Sequence, residues 1–314
     1  MELFMIIAGQ MGMLAVYVIL GIIGVKCRVL DKDSLNHISR FIMKMALPIM
    51  IFTSMPEGTM ASDLLGALPS AGIILCMYVA VYLMSTALVK IFKVKGDAAC
   101  VYKAVSLFGN VGFIGMPLIL ASYPEMGMLY LAVYTIIDQS LLWTFGMYLT
   151  SPAEKRKAVG AKKAISMILN PAVIAIILSL VFVFAGLRLP YILDETLNRV
   201  GAMTTPLSMI YIGGLFCFFD IRKYLKKVEL YFIVLGKMFI FPVVLLVVLK
   251  ALGISMELRF TLAVMAGLPT MTAVAMFANA NGSDGDYATA AAFITTVLSM
   301  LTLPAVSYLA GITA

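Results

Sequence analysis

Apolar runs of roughly 20 residues follow one another along nearly the whole chain, each long enough to cross the ~30 Å hydrocarbon core of a bilayer. Ten such segments are read: 4–25, 35–56, 64–90, 98–121, 127–149, 165–187, 194–218, 229–250, 257–281 and 286–312. A chain so built has little freedom of fold. Only 12% of its residues are charged and 62% are hydrophobic, whereas a soluble domain carries about a quarter charged residues. The expected fold class is an all-α polytopic membrane protein of ten transmembrane helices. Without a soluble domain or low-complexity tail in view, the chemistry is expected within or between the segments. The first run lacks a basic n-region and a small-residue cleavage site, and is read as a retained helix rather than a cleaved leader.

Charge sets the expected orientation. The loops after segments one, three, five and seven, with their flanks, hold 18 of the 23 Lys and Arg residues. The positive-inside rule puts those loops in the cytoplasm and both termini outside the cell membrane. The loop Gly282-Ser283-Asp284-Gly285-Asp286 dissents, carrying only acid on the cytoplasmic side. The net charge of +7 sits in short loop clusters without interleaved aromatics, which excludes nucleic acid as a partner and leaves the lipid bilayer. Cys27, Cys76, Cys100 and Cys217 have neither a CxxC pair nor metal-ligand spacing, and no cofactor or metal is implied. His37 reads as interfacial, and Asp284-Gly285-Asp286 lacks the ligand spacing of a calcium loop.

The basic loop splits the chain into residues 1–149, a linker 150–164, and residues 165–314. Five crossings flip the second copy of a repeat, so the halves are expected to be inverted repeats. Asp33-Ser34-Leu35-Asn36-His37-Ile38, opening segment two, is echoed by Glu195-Thr196-Leu197-Asn198-Arg199-Val200, opening segment seven.

Segments four and nine, each fourth in its half, are interrupted. The first carries Gly109-Asn110-Val111-Gly112-Phe113-Ile114-Gly115-Met116-Pro117 and the second Gly267-Leu268-Pro269-Thr270-Met271-Thr272. Paired interruptions point to a transporter's substrate site. Proline suits the first position of a helix, so Pro117 and Pro269 are expected to begin half-helices near the midplane. Gly109, Gly112 and Gly115 would let the backbone unwind and two segments cross. Half-helix starts offer unfilled N–H groups and a positive dipole end, to which a carboxylate is suited. Asn110, Thr270 and Thr272 supply further donors and acceptors. The plainer alternative is a pair of ordinary kinks.

These residues, with Ala46-Leu47-Pro48, Leu189-Pro190, Thr204-Thr205-Pro206-Leu207, Gly213-Gly214, and Tyr287-Ala288 through Thr302-Leu303-Pro304, resemble the auxin efflux carrier family over essentially all ten segments. That family includes bacterial members associated with malate or malonate and the plant PIN carriers. The resemblance implies two inverted five-helix repeats, crossing fourth and ninth helices, and a transport domain moving as an elevator against a scaffold. It implies a substrate-site role for Asn110, a small organic anion as substrate, and a possible homodimer. The short loop 150–164 departs from the long central loop of plant members, so loop phosphorylation is not implied.

Three ionisable residues lie in apolar surroundings: Asp138 in segment five, Lys44 in segment two and Lys237 in segment eight. Each costs ~2.5–3.5 kcal/mol at a lipid-facing helix centre and is expected to face the bundle interior or water. Asp138 is read as a proton- or cation-linked group that Lys44 or Lys237 neutralises; a fixed ion pair or snorkelling is the alternative. A sodium-coupled carrier or antiporter would want more carboxylates than this. An intramembrane enzyme would need a second acid or a base at the depth of Asp138. Which anion moves, and in which direction, stays open.

Overall fold

The computed structural model describes residues 2–53, 61–123, 126–157, 171–218 and 222–312, and among these the chain is helical, with a lone β-bridge between Gly109 and Thr270. Among the described residues three helices are long and apolar enough to cross a membrane by length and composition: Ser70–Ile91, Val228–Ala251 and Gly285–Ala310. They correspond to segments three, eight and ten. Segment one is the helix Glu2–Lys26 and segment six includes Pro171–Ala185. Residues 158–164 of the expected linker, the start of segment six and the end of segment two lie outside the described residues.

The other segments are subdivided, for physical reasons. Segments four and nine break outright into Asp97–Leu107 with 111–122, and Met256–Gly267 with Thr272–Asn281. Segment seven divides at Met203 into Tyr191–Ala202 and Thr204–Leu215. Segments two, four, five and eight contain widened π-helical turns at Ile42–Ala46, Val111–Gly115, Leu142–Gly146 and Ile233–Ile240. Three of these turns stand directly before Leu47-Pro48, Met116-Pro117 and Phe241-Pro242. Proline has no N–H and its ring collides with the carbonyl four residues earlier. Lengthening the preceding turn relieves that collision: the N–H of Leu47, Met116 and Phe241 reaches the carbonyl five residues back, at Ile42, Val111 and Gly236.

The prolines of the broken segments therefore do not begin helices. Helix 111–122 starts at Val111, with Pro117 well inside it, and Thr272–Asn281 starts three residues after Pro269. Gly112 and Gly115 lie in the π-helical turn, while Gly109 and Pro269 lie in extended links. The N-terminal position was expected from local preference alone; the widened turn supplies another way to hold a proline inside a helix.

Packing partners come in matched sets. Segment one packs on seven, and two on six. Segment three packs on the first half of four, and eight on the first half of nine. The first half of nine packs on five, and the first half of four on ten. The second half of four packs on five, and the second half of nine on ten. Five also meets six, as ten meets one. Segments one, seven, two and six thus make a panel in that order, with two and seven in direct contact.

The one–seven contact depends on glycine. A methyl added at Gly213 would overlap the carbonyl oxygen of Val18, and one at Gly21 the carbonyl oxygen of Ile210. Small residues let membrane helices approach backbone to backbone. The acidic turn between segments nine and ten is explained by capping. Gly282 ends one helix in the left-handed conformation (φ 75°), and Asp284 accepts the N–H of Tyr287 at 3.1 Å to start the next.

Candidate functional site

The two breaks meet. Asn110 N–H donates to the carbonyl of Pro269 at 2.9 Å, and Met271 N–H to the carbonyl of Phe108 at 3.0 Å, on either side of the Gly109–Thr270 bridge. Each extended link thereby fills backbone groups that the other leaves open, as buried backbone requires. A Cβ at Gly109 would lie 2.9 Å from Cβ of Leu268, and one at Gly115 2.7 Å from the Met265 methyl and 3.1 Å from Cδ1 of Leu268. These two glycines are what lets the crossing close. Gly112 is looser, its nearest neighbour being the Met50 methyl at 3.5 Å.

The structure separates the expected ligands. The Asn110 side chain is 1% exposed, yet among the described residues neither its Oδ1 nor its Nδ2 has a hydrogen-bond partner. A buried polar group without a partner costs about 1–3 kcal/mol, so this carboxamide is the crossover's open valence. Thr270 is committed elsewhere: its Oγ1 donates to the Val105 carbonyl at 2.8 Å and its N–H to Thr295 Oγ1 at 3.1 Å. It ties the last turn of Asp97–Leu107 to segment ten. Thr272 is buried at the first position of Thr272–Asn281. Among the first-turn amides, Val111 N–H is taken by the Gly109 carbonyl, Ile114 N–H by that of Asn110 and Val274 N–H by that of Met271; the others at the two half-helix starts are the donors beside the crossing.

Since Thr270 holds structure together, Thr270→Val is expected to lower stability by about 1–2 kcal/mol and leave ligand binding in place. The melting midpoint with and without ligand measures this; loss of binding by a well-folded variant would put Thr270 back in the site.

Asp138 is fully buried in a polar cage. Tyr78 O–H donates to Asp138 Oδ1 at 2.5 Å, and Gln139 Nε2 to Oδ2 at 3.0 Å. The hydroxyls of Tyr78 and Tyr134 lie 3.1 Å apart, and the Tyr78 ring is tilted against Phe108 of the first link, centroids 6.3 Å apart. Lys237, 2% exposed, donates its Nζ proton to the carbonyl of Leu268, the residue just before Pro269. Asp138 and Lys237 are both buried, and their hydrogen bonds go to other groups. Lys44 is instead exposed on the π-helical turn of segment two. Sequence reading missed Tyr78, Tyr134, Gln139 and Thr295. The available signal was a set of tyrosines and hydroxyls far from the segment ends, where tyrosine has no interfacial reason to be.

Asn279 does not close its own helix, a task left to Gly282; its Nδ2 donates to the Ala275 carbonyl at 2.9 Å. Asn281 instead receives Lys155 Nζ on its carbonyl at 2.8 Å, and Asp97 Oδ1 accepts the N–H of Ala153 at 2.8 Å. The start of the linker is thus pinned to both broken segments.

A helical membrane chain whose two interrupted segments cross at a buried, unfilled amide belongs with the membrane transporters. The profile of the family described as membrane transport protein, the auxin efflux carrier family, matches residues 6–307, and the chain belongs to that family. A curated relative, an uncharacterized transporter of Methanocaldococcus jannaschii, is 27% identical over 197 residues, which is 59% of this chain. The match spans 61% of that relative's own length.

Proposed function

We propose that this chain is a secondary carrier, rather than an enzyme, that moves a small organic anion across the cell membrane with its substrate at the crossing of segments four and nine. The observation that carries the reading is Asn110: a buried carboxamide with neither atom hydrogen-bonded among the described residues, held between two half-helix starts. A carboxylate accepts from Nδ2 and from the first-turn amides at once. The matched packing of one–seven with two–six, and of the other pairs, supports two inverted five-helix repeats, residues 1–149 and 165–314. The panel of segments one, seven, two and six supports a scaffold against which the remaining six move as an elevator. Lys237, bonded to the second break, and Asp138, bonded to the Tyr78 that packs on the first, are the groups through which a proton would be coupled.

The experiment is uptake of labelled malate, malonate and indoleacetate into proteoliposomes under imposed pH and voltage gradients. Wild type is expected to show saturable uptake of at least one, and Asn110→Ala to lose about 100-fold or more of it, as sites built to hydrogen-bond a substrate do when the partner is removed. Folded wild type that moves none of them under any gradient rejects the anion reading.

A further inference from the structure

Far from the crossing, a buried cation is left unfilled by the fold. Arg259 is 8% exposed, and neither its Nε nor its Nη1 has a hydrogen-bond partner among the described residues. It stands one turn into Met256–Gly267, about 12 Å of helical rise from Gly267 at the crossing. Three segment ends meet around it. Phe260 holds the Tyr123 ring edge-on, centroids 5.3 Å apart, at the end of segment four. At the start of segment five, a Cβ on Gly127 would lie 2.7 Å from Cβ of Tyr123 and 3.6 Å from Thr261 Oγ1. Tyr123 itself falls between segments four and five. Burial pushes its phenol above the ordinary pKa, Glu257 adds to this, and the Arg259 charge acts the other way. The guanidinium is thus felt at the phenol oxygen.

Three separate costs fall on this guanidinium. Burying a charge without a counter-charge is strongly unfavourable. Each open donor forfeits the bond it would make to water. A cation one turn inside a helix also stands at the positive end of the dipole, where an anion is favoured. Helical side chains lean toward the N-terminus, so this one carries its charge back toward Met256 and Ser255. Among the described residues no side chain caps that end, and the N–H groups of Met256, Glu257 and Leu258 lack intrahelical acceptors. Glu257 does not relieve the charge. It leaves the helix about 160° away from Arg259 and accepts neither Nε–H nor Nη1–H.

We propose that Arg259, the open amides at the start of Met256–Gly267 and the Tyr123 hydroxyl form a second anion site, separate from the crossing, that takes an oxyanion: a carboxylate or phosphate group. One bound oxyanion offsets all three costs. It neutralises the charge, accepts from Nε and Nη1, and opposes the helix dipole. Arginine suits oxygen anions because its donors lie in a fixed plane that matches carboxylate and phosphate geometry. The group comes either from a dissolved anion or from a phospholipid headgroup at this end of segment nine. The site asks nothing of the transported substrate, and it stands whether or not the crossing binds an anion.

The test follows the melting midpoint of the full chain, delipidated in maltoside micelles with chloride as the only anion. Inorganic phosphate, acetate or phosphatidylglycerol is then titrated into wild type, Asn110→Ala and Arg259→Met. Wild type and Asn110→Ala are expected to melt higher as the oxyanion is added. Arg259→Met should need at least about tenfold more of it for the same shift. In chloride alone Arg259→Met is expected to melt at or above wild type, because an apolar side chain replaces an unpaired buried charge. A shift with phosphate or acetate identifies a dissolved anion as the occupant, and a shift with phosphatidylglycerol alone identifies the lipid. Wild type that none of the three shifts, or Arg259→Met that shifts as wild type does, overturns the inference. So does an Arg259→Met protein that fails to fold or melts below wild type in chloride, since the guanidinium would then already have its partner. A shift lost in Asn110→Ala and kept in Arg259→Met places the anion at the crossing, which overturns this inference and leaves the anion-carrier reading standing.

Discussion

A Lys237→Met variant is expected to lose about 3–5 kcal/mol of stability, the loss typical of breaking a buried charge arrangement by removing one partner, and with it the transport activity. Two consequences follow from one side chain. The helix Met256–Gly267 ends at the break, where its last carbonyls lack intrahelical donors; Lys237 fills that of Leu268 and places a positive charge at the negative end of the helix dipole. The same ammonium is the buried cation to set against the buried acid Asp138. Methionine keeps the volume and removes both effects. The double variant Asp138→Asn/Lys237→Met is then expected to be less damaged than the sum of the single ones, with a coupling of about 0.5–3 kcal/mol. Unfolding midpoints of the four proteins measure it. Strict additivity would show that the two charges serve separate purposes. Asp138→Asn alone tests coupling: transport with unchanged rate and unchanged pH dependence would end the idea that this carboxylate carries a proton.

The crossing was legible in the sequence because it uses residues that membrane helices otherwise have little reason to gather. Gly109, Gly115 and Asn110 in one segment and Pro269 in another mark the places where the helices stop, and the observed breaks fall there. The role of the prolines was misread because the widened turn before them leaves no mark in composition; only hydrogen bonds reaching five residues back reveal it. Side-chain direction was equally hidden. Lys44 and Lys237 look alike as lysines a few residues before a proline, yet one is exposed and the other is buried against a carbonyl from a segment about 30 residues later. Asp138 could be singled out by its rarity in an apolar run. Its cage could not, because Tyr78 comes from segment three and contributes through a fold-dependent contact across 60 positions. Thr270 was taken for a ligand on residue type, and the structure gives its hydroxyl a carbonyl 165 positions away. Local signals thus marked where the backbone is unusual, and long-range contacts decided which polar groups remain available.

The same substitution at two glycines of one helix should move stability in opposite directions. Gly12 and Gly21 both lie in Glu2–Lys26. Around Gly12 a new methyl meets nothing within 4 Å among the described residues, so Gly12→Ala is expected to stabilise by about 0.5–1 kcal/mol through the unfolded chain's lost freedom. At Gly21 the methyl overlaps the Ile210 carbonyl, and at Gly213 on the facing helix it overlaps that of Val18. A flexible side chain can swing aside, but here the obstacle is backbone in a hydrogen-bonded helix, so the helices themselves must part. Gly21→Ala and Gly213→Ala are each expected to lose about 3 kcal/mol or more, at or beyond the upper end of overpacking effects. The pair should be strongly non-additive, because once one methyl has forced segments one and seven apart the second meets little further resistance. In the carrier reading these segments belong to the scaffold and not to the crossing. Transport should therefore slow while the order of preference among carboxylate probes stays that of wild type. Melting midpoints of the single and double variants, with probe competition on whatever folds, separate the two effects. Gly21→Ala melting with wild type would mean that segments one and seven do not meet backbone to backbone, and a changed probe order would mean that their contact shapes the substrate site.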